Sequence, residues 1–223
     1  MSLATRLDES GYATIGPVLD AAQCRSLIEG YAEAAAFRAR IDMARYSFGR
    51  GEYQYYDYPL PESIAKLRGE LYARLAPLAN RWARALDWDV EYPDRLEVFL
   101  ERCHAAGQVR PTPLILRYGP GDYNCLHQDL YGEMHFPLQV AVLLSDPGTD
   151  FTGGEFVVTE QRPRKQSRVE VVDLQRGEGV IFSVNQRPVC GKRGVSRATM
   201  KHGVSRLRSG ARCCLGIIFH DAR

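Results

Sequence analysis

Residues 118–129 read YGPGDYNCLHQD, and the interpretation of the whole chain turns on them. Pro120-Gly121-Asp122 is turn chemistry, and the residues after it look like a strand over 123–129. On a strand, side chains two apart leave the same face, so His127 and Asp129 point the same way. An imidazole and a carboxylate converging from one face are two members of a 2-His-1-carboxylate facial triad. That donor set holds non-haem Fe(II) and leaves coordination positions open. The third ligand must come from a distant strand, and His202 in TMKHGVS (199–205) is the best placed candidate. The HxD pattern alone is weak, since a surface histidine and a turn aspartate give the same letters. The preceding turn and a second histidine on a late strand strengthen it.

Working outward, the chain from Pro113 onward consists of short apolar runs broken by turns. The runs are LILRYG (114–119), YNCLHQD (123–129), PLQVAVLLS (137–145), GEFVVTE (154–160), SRVEVVDL (167–174), GVIFSV (179–184), MKHGVS (200–205) and RCCLGIIFH (212–220). The breaks carry Gly, Pro and Asp, and NQRPVCGKRGVSRA (185–198) is the longest late one. No helical segment alternates with these strands, which favours a β-sandwich or jelly roll over an α/β sheet. The first half reads helical. Asp20 is a good N-cap for a helix over 21–40, and apolar residues at helical spacing predict a long helix over 63–86. A third helix is expected over 93–106. Between the first two lies FGRGEYQYYDYPLP (48–61), an aromatic segment favoured as a loop packed on the core over a substrate-facing lid. The expected class is therefore mainly β with N-terminal helices (α+β), a single domain over 1–223. Residues 1–112 would pack as a helical part on a core of about eight strands over 113–221.

Size and composition remove other classes. A chain of 223 residues with 45% hydrophobic and 25% charged residues is globular rather than disordered. No apolar run approaches the roughly 20 residues needed to span a bilayer, and the N-terminus does not read as a signal peptide. Six cysteines without CxxC spacing suggest reduced thiols and a cytoplasmic setting. The oligomeric state is not legible. Net charge is only +2, but Arg162 to Arg212 holds thirteen Lys or Arg against Glu170, Asp173 and Glu178. That segment is near +10, which favours an anionic partner, although a solvated basic rim needs none. GxSxG, P-loop and Rossmann fingerprints are absent from the sequence.

The series RYGPGDYNCLHQD (117–129), GGEF (153–156), GEGVIF (177–182) and HGVSRLRSGARCCLGIIF (202–219) resembles the double-stranded β-helix core of Fe(II)/2-oxoglutarate-dependent dioxygenases. Its first member is similar to the iron-binding strand of AlkB-type nucleic-acid demethylases, and prolyl hydroxylases carry a looser form. Over roughly residues 10–221 the chain resembles a bacterial group of 2-oxoglutarate/Fe(II) oxygenases proposed to act on nucleic acids. The resemblance implies His127, Asp129 and His202 as iron ligands, with Arg212 holding the C5 carboxylate of 2-oxoglutarate; a guanidinium can grip a carboxylate through two parallel bonds. Arg206 and Arg208 are rivals for that role. Tyr118 matches a tyrosine that assists the same carboxylate. Leu116 stands where AlkB-type enzymes have an asparagine, so the C1 end needs another partner, with Asn124 and Gln139 as candidates.

The implied cofactors are Fe(II), 2-oxoglutarate and O2, with ascorbate as a possible reductant. The implied reaction hydroxylates a C–H bond, or demethylates by that route, while 2-oxoglutarate is converted to succinate and CO2. A nucleic-acid base is the favoured substrate, contacted through the basic 162–212 segment and stacked by Tyr53, Tyr55, Tyr56 and Tyr58. A peptide or small-metabolite hydroxylase is the enzymatic alternative, and a non-catalytic cupin-like sensor or binding protein is the other. His104, His135 and His220 read as structural, and Cys125 is expected to be buried.

Overall fold

The computed structural model describes residues 1–191 and 194–223. The first half contains α1 (Leu3–Ser10), β1 (Tyr12–Ile15), α2 (Ala21–Glu29), β2 (Phe37–Asp42), β3 (Gly49–Arg50), β4 (Glu52–Tyr56), α3 (Glu62–Ala85) and α4 (Leu96–Ala105). The second half contains β5 (Leu114–Tyr118), β6 (Tyr123–His127), β7 (Leu138–Leu143), β8 (Phe151–Gly153), β9 (Phe156–Gln161), β10 (Arg168–Val172) and β11 (Gly179–Ser183). It ends with β12 (Gln186–Gly191), β13 (Gly194–Val204), β14 (Leu207–Gly210) and β15 (Arg212–Ile217).

Two antiparallel sheets face each other. The larger runs β1-β11-β7-β15-β5-β4-β2 and the smaller β10-β9-β13-β6-β3, with β12 added beside β13. The chain crosses repeatedly between them: β5, β7, β11 and β15 enter the larger sheet, and β6, β9 and β13 the smaller. This winding is the double-stranded β-helix expected from the sequence.

Strand alternation builds two cores from one sheet. Ile115, Val140, Val142, Ile181, Leu215 and Ile217 turn outward and pack with Leu71, Leu75, Leu78 and Trp82 of α3. The residues between them on the same strands, among them Tyr118, Ala141, Leu143, Phe182 and Cys214, turn inward toward the smaller sheet. The period of two thus puts a helix-covered face behind the larger sheet and a cavity in front of it. A buried ion pair fastens α3 to the segment that follows the last strand: Arg68 Nη2 lies 2.9 Å from Asp221 Oδ1, and both side chains are almost fully enclosed. Arg68 also donates to the carbonyls of Ile218 and Phe219.

The first half departs from its helical reading. Asp20 caps α2 in a capping box with Gln23, but the helix stops at Glu29 rather than continuing to residue 40. Gly30 begins a 3-10 turn, and Phe37–Asp42 becomes a strand paired with β4, Phe37 opposite Tyr56 and Ile41 opposite Tyr53. Packing of the Phe37 ring on Tyr56, centroids 4.5 Å apart, outweighs the helix propensity of the alanines before it. The 48–61 segment is likewise not a plain loop, since it supplies β3 and β4. Within the stretch over 185–198, residues 186–191 form β12 and residues 194–198 the start of β13, and the two strands pair antiparallel. Pro188 is tolerated there because β12 pairs on one side only.

Candidate active site

The site depends on a bulge. His202 of β13 pairs with His127 of β6 and Val204 pairs with Asn124, so one residue, Gly203, opposes two, Cys125 and Leu126. The extra residue resets the strand's alternation. Asn124 and His127, three apart, therefore both line the inter-sheet cavity, while Cys125 and Leu126 are exposed. Cys125 is thus not buried as strand parity had suggested. Gly203 is required by closeness: a Cβ there would sit 2.7 Å from the Asn124 carbonyl oxygen.

His127 ends β6 and Asp129 follows two residues later. His202 stands near the end of β13, flanked by His127 of β6 and by Val158 of β9. The three side chains meet in the cavity. His127 Nε2 is 3.5 Å from Asp129 Oδ1, and His202 Nε2 is 3.4 Å from Asp129 Oδ2. One donor atom from each of the three lies within 4.8 Å of those of the other two. Ligands held about 2.1 Å from one cation in neighbouring octahedral positions are about 3 Å apart, close to the two His–Asp separations of 3.5 and 3.4 Å. His127 Nδ1 donates to the Cys125 carbonyl at 2.7 Å, which leaves Nε2 with a lone pair facing Asp129. His202 is wedged between Phe182 and Phe156, ring centroids 4.5 and 6.0 Å away.

The electrostatics suit a cation. Burial pushes the Asp129 carboxyl up, but the hydrogen bond and charge of His202, the charge of His127 and the Tyr131 hydroxyl more than offset it and hold the group well below the usual carboxylate range. Burial, together with neighbouring His127, pushes His202 down against the opposing pull of Asp129. An ionised carboxylate is the state in which Asp129 can ligate a metal.

A second, anion-seeking feature lies across the same cavity. Arg212 of β15 is 2% exposed, and its Nε and Nη1 have no hydrogen-bond partner among the described residues. Its guanidinium carbon lies 5.7 Å from the Tyr118 ring centroid and 5.9 Å from that of Phe151. A buried cation with idle donors is costly unless an anion joins it, and a carboxylate matches its fork. Burial raises the Tyr118 pKa, so its hydroxyl stays protonated and able to donate. Asn124 Nδ2 reaches that hydroxyl at 3.5 Å. Gln139 on β7 also lines the cavity, and its Oε1 is buried without a partner among the described residues. Leu116 forms apolar wall.

Other sequence candidates lie elsewhere. Arg206 and Arg208 are exposed and outside the cavity wall, Arg206 over the Tyr123 ring at 5.5 Å. His104 pairs with Asp221 at 2.9 Å, and His220 is buried with Nδ1 accepting from the Phe136 amide. Of the four tyrosines considered for stacking, Tyr53 alone borders the cavity. Tyr55 and Tyr56 are buried, and Tyr58 donates its hydroxyl to Asp221. The basic segment is partly neutralised internally: Arg162 and Arg187 pair with Glu160, Arg168 with Glu170 and Arg176 with Asp146. Lys192 and Arg193 lie outside the described residues. Sequence reasoning missed Phe48 and Leu130 at the cavity wall and Tyr131 beside Asp129. Extending the two-residue spacing from His127 and Asp129 by one more step points to Tyr131.

A double-stranded β-helix whose cavity joins two imidazoles, a carboxylate and a buried arginine lacking an anion defines the class of Fe(II)- and 2-oxoglutarate-dependent oxygenases. Residues 51–222 match the Oxygenase-NA family, described as an oxygenase catalysing oxidative methylation of damaged DNA, and the chain belongs to that family. Its members are oxidoreductases that use Fe(II), 2-oxoglutarate and O2. An uncharacterized protein of Mycobacterium tuberculosis is 51% identical over 164 residues, covering 74% of this chain and 70% of the relative. Among solved structures, the α-ketoglutarate-dependent epimerase SnoN of nogalamycin biosynthesis aligns with TM-score 0.59 at 16% identity, covering 97% of this chain and 80% of that one. A Trichoplax adhaerens prolyl hydroxylase aligns with TM-score 0.57 at 14% identity, covering 97% and 86%. A Pseudomonas putida prolyl-4-hydroxylase aligns with TM-score 0.54 at 16% identity, covering 99% and 97%. At these identities the structural likeness speaks to the fold. Among the described residues, no helix is long and apolar enough to cross a membrane.

Proposed function

We propose that this oxygenase oxidises a nucleic-acid base, by hydroxylation or oxidative demethylation, with His127, Asp129 and His202 holding Fe(II). The observation that carries the reading is the placement of that donor set and the unpartnered Arg212 in one enclosed cavity. Arg212 and Tyr118 grip the C5 carboxylate of 2-oxoglutarate, and Asn124 and Gln139 offer polar atoms toward the rest of the molecule. When bound, the metal and 2-oxoglutarate together supply O2 activation. The chain's own part is to orient the dicarboxylate, keep Asp129 ionised and exclude water with Leu116, Phe156 and Phe182.

The family's description and the cavity rim favour a base. Phe48 borders the cavity and stacks on Tyr46, ring centroids 5.5 Å apart and 19° from parallel, and both rings are about half exposed. Exposed Arg45 and Arg50 flank the pair in sequence, and Arg50 is paired across the ladder with Tyr123, the residue under Arg206. Aromatic faces beside guanidinium groups suit an unpaired strand, whose bases stack while its phosphates meet the charge. Six free thiols accord with a reducing cytoplasm.

The test is succinate release from 2-oxoglutarate with Fe(II) and ascorbate, in the presence of methylated single-stranded oligonucleotides. Activity with an oligonucleotide that His127→Ala abolishes supports the assignment. Turnover stimulated by a peptide or metabolite extract and not by any oligonucleotide moves the enzyme to the other substrate class. Absence of any turnover leaves a binding or sensing protein.

A further inference from the structure

We infer that Tyr131 is a positioning residue for Asp129, orienting the carboxylate so that its oxygens face the two imidazoles. The inference rests on the metal-centre reading of His127, Asp129 and His202. The Tyr131 hydroxyl donates to Asp129 Oδ1 at 2.6 Å. It thereby occupies one direction around the oxygen that also faces His127 Nε2. A carboxylate oxygen offers only lone pairs, so the hydroxyl is the donor in this pair.

The three candidate ligands are oriented by different means. His127 is fixed by a backbone carbonyl, and His202 by aromatic packing, with its Nδ1 buried and lacking a partner among the described residues. Asp129 lies two residues beyond the end of β6, and the Tyr131 hydroxyl bonds the carboxylate oxygen that faces His127. Tyr131 is itself packed. Its ring meets Tyr55 edge-on, centroids 6.4 Å apart at 88°, and Tyr55 meets Tyr53 edge-on at 5.3 Å. The aromatic run of β4 thus gains a role: it backs the residue that orients the acid. Polar neighbours of metal ligands commonly set affinity by about ten- to a hundred-fold, which is the size of effect expected here.

The test is titration of the metal-free protein with Co(II), reading both affinity and the visible absorption of the bound ion, with urea unfolding of each metal-free variant alongside. Wild type should bind and Asp129→Ala should not. Tyr131→Phe should fold normally, bind Co(II) about ten-fold or more weakly and shift its absorption bands. Tyr72→Phe removes a hydroxyl that is buried in the helix-side core without a partner among the described residues, and should match wild type in both readings. Equal affinity and an unchanged spectrum in Tyr131→Phe overturn the inference while leaving the metal centre standing. Failure of wild type to bind Co(II) removes both together.

Discussion

Arg212 stands directly across the β5–β15 ladder from Tyr118, and its guanidinium carbon lies 5.7 Å from the tyrosine ring. The pairing places a permanent cation and a protonated hydroxyl at one end of the cavity, with no anion bonded to them among the described residues. Two opposite effects of Arg212→Met are expected. Binding of 2-oxoglutarate to the metal-loaded protein should weaken by about a hundred-fold or more, since two charge-assisted hydrogen bonds are lost. The ligand-free protein should become more stable by about 1 kcal/mol or more, because an uncompensated buried charge is gone. Calorimetric titration and urea unfolding measure the two. A destabilised variant would mean that Arg212 already has an anion in the ligand-free protein.

Arg68 and Asp221 behave differently, because each neutralises the other in the interior. Arg68→Met leaves Asp221 buried and charged, and should cost about 3–5 kcal/mol. Denaturant unfolding at neutral pH reads this directly. A loss below about 1 kcal/mol would show that the remaining partners, His104 and the Tyr58 hydroxyl, compensate Asp221.

Gly203 holds the bulge closed, so Gly203→Ala should push β6 and β13 apart beside His202. Overpacking of this kind costs about 1–3 kcal/mol. Its effect on Co(II) affinity should exceed that of Gly69→Ala, where an added Cβ meets nothing within 4 Å. Equal affinities in the two variants would mean that the bulge does not set the ligand spacing.

His220 supplies a pH dependence. Burial, then the charges of His135 and Arg68, push its pKa down to about 3 from an unfolded value near 6.5. Between those values the unfolded chain takes up a proton at this position and the folded chain does not. Stability is therefore retained above about pH 6.5 and falls as pH drops toward 3, by up to about 1.4 kcal/mol per unit from this residue. His220→Asn should flatten the slope of unfolding free energy between about pH 6.5 and about pH 3. Parallel slopes for the variant and wild type would assign the pH dependence to other groups.

The elements legible in the sequence were those with long, uniform periodicity. The repeat Ile64, Leu67, Leu71, Leu75, Leu78 and Trp82 defined α3 to within a residue or so at each end, and all eight expected strands are present. Shorter strands escaped because their formation is decided by distant partners. Residues 37–42 are written in helix-tolerant letters and become β2 only because Tyr53 to Tyr56 lie alongside. The triad was legible because spacing and chemistry coincide in HxD. The bulge was not, since two exposed residues opposite one glycine leave no local mark, and for that reason Cys125 was given the wrong face. The rim formed by Phe48 and Leu130 was invisible for the same reason: it exists only once the sheets are stacked.

The larger sheet carries a practical warning about trimming the protein. β4 hydrogen-bonds along β5 and β1 along β11, so the amino-terminal residues complete the very sheet that carries Arg212. A fragment beginning at residue 113 would lay bare two rows of unsatisfied amides and carbonyls, one on each flank. Such raw borders recruit one another between molecules, and the shortened protein would precipitate before any catalysis could be measured.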